Sequence, residues 1–183
     1  NYDLSPDELA VGAWSDVTNM RFKDGYAQKF KGLQQVFADT TVSAYYLTHF
    51  ETGAVKFWVH AGTAKVFADD GTTRTEITPA APFTGGVDDR WGGGVLGGVL
   101  VMKNGIDQPQ FWGGNPANKL ATLTGWNSAW RANVVVPFKN YLVALNILKT
   151  ATRFSSMVKW SHSAVPGAIP TSWDEANVTL DAG

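Results

Sequence analysis

The sequence predicts an all-β fold built from antiparallel meanders, and three observations carry this prediction. Of 183 residues, 13% are aromatic and 19 are glycine, whereas only 17% are charged, which is typical of short strands joined by tight turns. No stretch of about ten residues or more has the periodicity of an amphipathic helix. In residues 55–79, Ala61-Gly62 and Asp70-Gly71 separate three strand-like runs, the pattern of a meander.

The first region, residues 1–40, is predicted to hold a capping turn and a hairpin. Ser5 can cap a helical turn that begins at Pro6, with Glu8 completing a capping box. Two short strands are expected between Met20 and Phe30, around the turn Lys23-Asp24-Gly25. Trp14, Gly25 and Phe30 are expected to lock this segment onto the β-rich remainder of the chain without contacting a ligand.

The second region, residues 41–183, contains about three similar units. They are headed by Phe57-Trp58-Val59, Val99-Leu100-Val101 and Tyr141-Leu142-Val143, and the spacing is 42 residues both times. In each unit a turn leads to a further strand that carries an aromatic residue. These aromatic residues are Phe67, Phe111-Trp112 and Trp160.

Trp91 and Trp130 are expected to open the second and third units, because each comes just before a glycine-rich or β-branched run. Units of roughly 40 to 50 residues with four short strands are typical of β-propeller blades, so we predict part of a propeller. A β-sandwich is the alternative, since it also produces short strands at regular intervals.

Glycines are concentrated at Gly92-Gly93-Gly94 and Gly97-Gly98. A phosphate-binding loop would need a following Lys-Ser or Lys-Thr pair and a helix, and neither is found there. The pattern instead favours the edge of a strand, where missing side chains let a neighbouring strand or subunit approach closely.

Composition argues against several classes of function. The net charge of −1 does not favour tight sequence-independent binding of DNA, and the absence of cysteine excludes disulfides, Cys-ligated zinc and a thiol nucleophile. The histidines at 49, 60 and 162 lack the spacing of metal ligands. No apolar run approaches the roughly 20 residues of a membrane-spanning helix. We therefore expect no catalytic residue, cofactor or metal.

The acidic pairs and the tryptophans each leave two interpretations open. Asp69-Asp70 and Asp88-Asp89 lie beside glycines, where Asp usually stabilises turns; as glycosidase residues, two carboxylates would have to face each other across a cleft. The tryptophans are expected mainly to pack between sheets, but exposed ones could stack on sugars, as in a carbohydrate-binding module.

Two stretches resemble signatures of a family of tail proteins from short-tailed bacteriophages. They are "SPDELAVGAWSDVTNMRFKDGYAQKFKG", residues 5–32, and "VKWSHSAVPGAIPTSWDEANVTLDAG", residues 158–183. The matching residues that we single out as a structural signature are Trp14, Arg21, Phe22, Gly25, Phe30, Trp160, Pro166, Trp173 and Asp174. The chain departs from the family pattern at Ala10-Val11 and at His162-Ser163.

The resemblance implies a virion structural protein, similar to the propeller-like tail tube or nozzle proteins that form a ring below the portal and adaptor. Its partners would be further copies of the chain, with a hexamer as one candidate ring size, the portal or adaptor, and other tail proteins. DNA would be passing cargo during ejection. The protein would reside in the virion tail, and in the host cytoplasm during assembly.

Three units cannot close a propeller of four to eight blades, so the chain is expected to be a piece of a longer protein. A strand-like run at Asn177-Val178-Thr179-Leu180 precedes its last residues. The alternative functions are a carbohydrate- or receptor-binding tail domain and a glycoside hydrolase that would use Asp88, Asp89 or Asp174.

Overall fold

The computed structural model describes residues 18–30, 35, 37–53 and 55–183. The chain divides into two compact units, Asn1–Ala38 and Asp39–Gly183. The predicted capping turn at Ser5 and the predicted packing of Trp14 lie outside the described residues.

All of the described regular structure is β, in antiparallel sheets, which confirms the predicted fold class. The hairpin consists of β1 (Met20–Lys23) and β2 (Tyr26–Lys29). The first sheet consists of β3 (Tyr46–Thr52), β4 (Val55–Ala61), β5 (Val66–Asp69) and β6 (Arg74–Glu76). The second consists of β7 (Gly92–Leu96), β8 (Val99–Lys103), β9 (Gln110–Trp112) and β10 (Ala121–Thr122). The third consists of β11 (Trp130–Phe138), β12 (Tyr141–Lys149) and β13 (Thr152–Trp160).

The 42-residue repeat corresponds to equivalent strands of the three sheets. Its three headings lie in β4, β8 and β12, each the second strand of its sheet, and the aromatic residues of the following strands lie in β5, β9 and β13. Trp91 immediately precedes the second sheet, and Trp130 begins the third, as predicted. The sheets are compatible with blade-like units and with layers of a sandwich.

The predicted hairpin turn has the geometry that its sequence requires. Lys23 pairs with Tyr26, so Asp24-Gly25 forms a two-residue turn. Asp24 has φ +53° and Gly25 has φ +78°. Positive φ at both central residues is the signature of a type I′ turn, which Asp-Gly adopts readily.

Two hydrophobic cores hold the three sheets together, and the second sheet contributes to both. Leu100 and Met102 of β8 pack with the first sheet, whereas Val101, on the opposite face, packs with the third. Trp112 lies 5.5 Å from Phe50 and 5.0 Å from Phe57, measured between ring centroids. The second sheet is therefore the middle layer of three.

The glycine-rich run is an edge strand, as predicted. Strand β7 is the last strand of its sheet, and it packs beside β11 of the third sheet. A Cβ at Gly94 would come within 2.8 Å of Pro137 in β11. The missing side chain thus permits the close approach of two sheets.

The third sheet has three described strands instead of the four expected of each unit. The chain that follows Trp160 contains Pro166, Gly167 and Pro170 and forms loops, because proline cannot donate to a strand ladder. Residues 177–180 were predicted to be strand-like, but they form a turn. Leu180 N–H donates to Asn177 O at 3.0 Å, and the Asn177 side chain accepts a hydrogen bond that stabilises the turn.

Candidate functional site: the outer face of the third sheet

Side chains of the third sheet alternate between a buried face and an uncovered one, and an irregularity between Leu145 and Ile147, where Asn146 has φ +54°, interchanges the two faces along the strands. The inner face carries Ala132, Val135, Leu142, Ala144 and Ile147, which belong to the core shared with the second sheet. Two cross-strand rows lie on the opposite face: Val134, Leu145 and Val158, and then Val136, Val143 and Trp160. Phe138 pairs with Tyr141 in the next row of that face.

We call these eight side chains the outer face. All are apolar or aromatic, and none carries a charge. Phe138 is 59% exposed, Val158 51%, Trp160 44% and Val136 38%; the other four are half-buried. Adjacent exposed side chains of this kind form a continuous apolar patch, in contrast to the isolated apolar residues found on most protein surfaces.

A shallow groove of about 300 Å³ runs over the outer face. It is lined by Phe138, Tyr141, Val143, Val158, Trp160 and Asp181. The Asp181 carboxylate accepts a hydrogen bond from the Tyr141 hydroxyl at 3.3 Å and another from Ser163 at 3.4 Å. The carboxylate is therefore held at the edge of an otherwise apolar surface.

The C-terminal segment fixes the position of Trp160. Trp160 and Gly183 exchange two backbone hydrogen bonds, of 2.6 Å and 3.1 Å. The indole N–H of Trp160 donates to Asp181 O at 2.7 Å. Trp160 is thus a half-exposed side chain with a fixed orientation, consistent with a structural role for this signature residue.

The other signature residues of the second stretch lie on the opposite side of the sheet. Trp173 is buried in the core shared by the second and third sheets and contacts Trp126 edge-to-face at 4.8 Å. The Asp174 carboxylate accepts a hydrogen bond from Ala176 N–H at 3.0 Å and so stabilises a turn. Pro166 lies against the β7–β8 turn, where Gly167 N–H donates to Gly97 O at 2.6 Å.

The signature residues of the first stretch lie in the hairpin unit. Arg21 donates two hydrogen bonds to the Gln28 side chain, at 3.2 and 3.1 Å, and its guanidinium is 6.0 Å from the Phe30 ring centroid. Phe22 is in β1, and Gly25 is in the turn. Phe30 is 51% exposed, and its proposed role in locking the segment to the remainder of the chain stays a prediction.

Three of the four acidic residues in the two predicted pairs are engaged in local turns. Asp69 accepts from Gly71 N–H at 2.9 Å, and Asp89 accepts from Gly86 N–H at 2.6 Å. The backbone N–H groups of Thr73 and Thr72 hydrogen-bond the Asp70 carboxylate and lower its pKa. These bonds agree with the turn-forming interpretation.

Most of the described tryptophans pack, as expected. Trp112, Trp126 and Trp173 are buried, and Trp91 and Trp130 are half-buried, whereas Trp58 and Trp160 are more exposed. Among the described residues, no group of three or more His, Asp or Glu side chains is placed to hold a metal ion.

Sequence reasoning missed the outer face as a site. The alternation in "VVVPF" and "YLVAL" identifies two faces of each strand, but both faces are apolar. Which of them the second sheet covers depends on tertiary packing. The available signal for an apolar outer face was that the residues on both faces of these strands are uncharged.

No family model matches the chain, and no curated protein matches its sequence. Within the described part of the chain, no helix has the length and apolar character needed to cross a membrane.

Proposed function

We propose that this chain is a virion structural protein of a short-tailed bacteriophage. It would form part of an oligomeric tail tube or nozzle ring below the portal and adaptor, through which DNA passes. The single observation that carries the proposal is the uncovered, uncharged outer face. The resemblance of residues 5–32 and 158–183 to tail-protein signatures supports this kind of assembly.

The occupant of the outer face would be a second copy of the chain. Its four exposed side chains leave on the order of 400 Å² uncovered, given that a large aromatic side chain buries about 150–250 Å². That is roughly half of the 800 Å² or so that one partner contributes to a standard interface. Permanent interfaces between identical chains are rich in apolar and aromatic residues and poor in charge, as this face is.

In a ring, the outer face of one copy contacts a different surface of the next copy. The proposed copies would assemble in the host cytoplasm and remain in the virion tail. Surfaces of this kind are covered only in the assembly, so part of the stability of each copy would depend on its neighbours.

The test is a matched pair of valine substitutions. Val158→Lys places a charge on the outer face, and Val87→Lys places one in an exposed loop, where Val87 is 60% exposed. Light scattering and electron microscopy of the purified chain should show rings for the unmodified chain and for Val87→Lys, but monomers for Val158→Lys. Antibodies to the chain should label the tail of the parent particle.

Two results would contradict the proposal. One is a chain that stays monomeric at high concentration, with a melting temperature that does not change on dilution. The other is labelling of the capsid, or of no virion component, in the parent particle.

The groove beside Trp160 favours one second candidate, a carbohydrate- or receptor-binding tail domain. Trp160 and Tyr141 are aromatic, and Asp181 is a hydrogen-bond acceptor at the groove's edge. A glycan array tests this function: saturable binding that Trp160→Ala abolishes, with the oligomeric state unchanged, would favour it over the ring interface.

A further inference from the structure

Residues 181–183 lie against the edge of the outer face and are attached there by a small set of hydrogen bonds. Asp181 takes part in four of them, through its backbone N–H, its backbone oxygen and its carboxylate. We call this arrangement the clasp; it consists of Asp181 and Gly183 with their partners Tyr141, Trp160, His162 and Ser163. His162 is the partner whose side chain can change its charge near neutral pH.

The His162 ring accepts a hydrogen bond from the backbone. Asp181 N–H donates to His162 Nδ1 at 3.2 Å. Because a backbone N–H can only donate, Nδ1 must carry a lone pair, which places the ring proton on Nε2. The closed clasp therefore requires a neutral His162.

A carboxylate lies close to the same ring nitrogen. Oδ2 of Asp181 is 3.9 Å from His162 Nδ1, too far for a hydrogen bond but close enough for attraction to a charged ring. Among the described residues, no other Asp or Glu forms an ion pair with His162. The other titratable group of the clasp, the Tyr141 hydroxyl, donates a hydrogen bond and is protonated. Both side chains of the His162–Asp181 pair are partly exposed, so the ring can exchange protons with solvent.

We propose that His162 is a pH-sensitive switch that sets the conformation of the clasp and, through it, the orientation of Trp160 on the outer face. With His162 neutral, the clasp is closed as described above. With His162 charged, the Asp181 carboxylate pairs with the ring and the clasp opens. The switch is a property of the single chain, whereas its effect on assembly rests on the proposed ring, in which Trp160 lies between copies.

Protonation reverses the role of Nδ1. The nitrogen becomes a donor and can no longer accept from Asp181 N–H, so two donors face each other at 3.2 Å. The charged ring attracts the Asp181 carboxylate instead. To form a charge-assisted hydrogen bond of about 2.8 Å, Oδ2 must approach Nδ1 by about 1 Å from its present 3.9 Å.

This approach competes with two bonds that hold the carboxylate at the groove. The same Oδ2 accepts from the Tyr141 hydroxyl at 3.3 Å and from the Ser163 hydroxyl at 3.4 Å. Both distances are long for bonds between oxygen atoms, so both bonds are weak. A charge-assisted bond is about twice as strong as a neutral one, so the carboxylate turns toward His162 and the groove loses its acceptor.

Trp160 is linked to the switch through the backbone of Asp181. The Trp160 indole N–H donates to the Asp181 backbone oxygen at 2.7 Å, and the backbone of Trp160 exchanges two hydrogen bonds with Gly183. When Asp181 N–H loses its acceptor on His162, the backbone that orients the indole loses one of its attachments. The charge of His162 therefore acts on a half-exposed aromatic side chain of the outer face.

The experiment follows Trp160 by fluorine NMR of the chain labelled with fluorotryptophan, and Trp160→Phe identifies its resonance. Between pH 8 and pH 5 this resonance should shift with the same midpoint as the His162 Hε1 proton signal. His162→Gln should abolish the shift, since its side-chain oxygen can accept from Asp181 N–H but does not titrate. His49→Gln is the matched control at an exposed histidine and should retain the shift.

Asp181→Asn tests the carboxylate separately. Asparagine retains an oxygen that can accept from Tyr141 and Ser163, but it carries no charge to stabilise the protonated ring. The midpoint of the His162 titration should therefore move to lower pH by a few tenths of a unit, as expected for the loss of an exposed ion pair. Melting curves at pH 7.5 establish that each variant is folded.

Light scattering at pH 7.5 and pH 5.5 measures the consequence for assembly. The unmodified chain should shift toward smaller species at pH 5.5, whereas His162→Gln should not. Two results would overturn the switch: a Trp160 resonance that stays constant while His162 titrates, or a shift of that resonance that persists in His162→Gln. A chain that is monomeric at both pH values would refute the ring alone, because the Trp160 resonance reports on the switch in a single chain.

Discussion

His60 is a buried titratable residue on β4. It is only 4% exposed, and its ring stacks on Phe67 at 5.3 Å. Nε2 has no hydrogen-bond partner in the part of the chain that the structure describes. Burial lowers the pKa of His60 below 6.5, the nearby charge of Arg74 lowers it further, and Asp69 opposes the shift. His60 is therefore neutral in the folded protein near pH 7.

This lowered pKa predicts a loss of stability in mild acid. The unfolded chain takes up a proton near pH 6.5, whereas the folded chain resists it. The contribution of neutral His60 to the free energy of unfolding is complete above about pH 6.5. It decreases as the pH falls toward the folded-state pKa, by at most about 1.4 kcal/mol per pH unit.

Urea unfolding at pH 7.5, 6.5 and 5.5 measures the effect. His60→Leu should reduce the pH dependence, whereas His49→Leu, at an exposed position, should leave it unchanged. Identical pH dependence in the unmodified chain and in His60→Leu would show that His60 does not titrate in this range.

At the level of single residues, sequence predicts local interactions better than distant ones. Asp70 could be assigned to a turn because its partners, Thr72 and Thr73, are its neighbours in sequence. The burial of Trp112 and the exposure of Trp160 could not be distinguished, because each depends on which sheet covers which face.

Among the elements, β7 depends most directly on missing side chains. Gly93 has φ +146°, and a Cβ there would lie 1.9 Å from the Val101 carbonyl oxygen of the paired strand β8. Backbone atoms cannot move aside as a flexible side chain can. Any larger residue must therefore disrupt the β7–β8 ladder.

We expect Gly93→Ala to destabilise the chain by about 3 kcal/mol or more, the range of backbone strain and lost packing combined. Gly113→Ala is the control, because Gly113 has no positive φ and no atom within 4 Å of its added Cβ. Its effect should stay below about 1 kcal/mol. Thermal and urea unfolding measure the stability of both variants. If Gly93→Ala does not destabilise the chain, β7 must pair with β8 in a different way.

The positions of equivalent strands were largely accessible from sequence, whereas their pairing register was not predicted. The recurrence of aromatic and β-branched runs every 42 residues located equivalent strands in all three sheets. The missing fourth strand of the third sheet was not predicted, because Val178 and Thr179 have high strand propensity but lie in a turn stabilised by Asn177.

The basic character of the third sheet is not visible in the charge of the whole chain. The total net charge of −1 argued against a nucleic-acid surface, but the acidic residues lie outside the stretch between Asp107 and Asp174. Charge counted over a segment, as opposed to the whole chain, would have found the basic third sheet.

For the unit Asp39–Gly183 as a whole, stability should be greatest in the middle layer. Opening β8 requires disruption of both hydrophobic cores, whereas opening β13 disturbs one. Hydrogen exchange should therefore be slowest at the amides of residues 99–103. If the amides of β8 exchange as fast as those of β13, then packing against two cores does not make the middle layer more stable.

The layered arrangement also has a consequence for synthesis on the ribosome. Each sheet is a continuous stretch of sequence, but the inner face of the first sheet is covered by Trp112 and its neighbours, which are translated later. At about 5–20 residues per second, the roughly 40 residues between β5 and Trp112 take about 2–8 s to emerge. During that interval Phe50 and Phe57 remain exposed on the nascent chain, which makes the first sheet a target for chaperones.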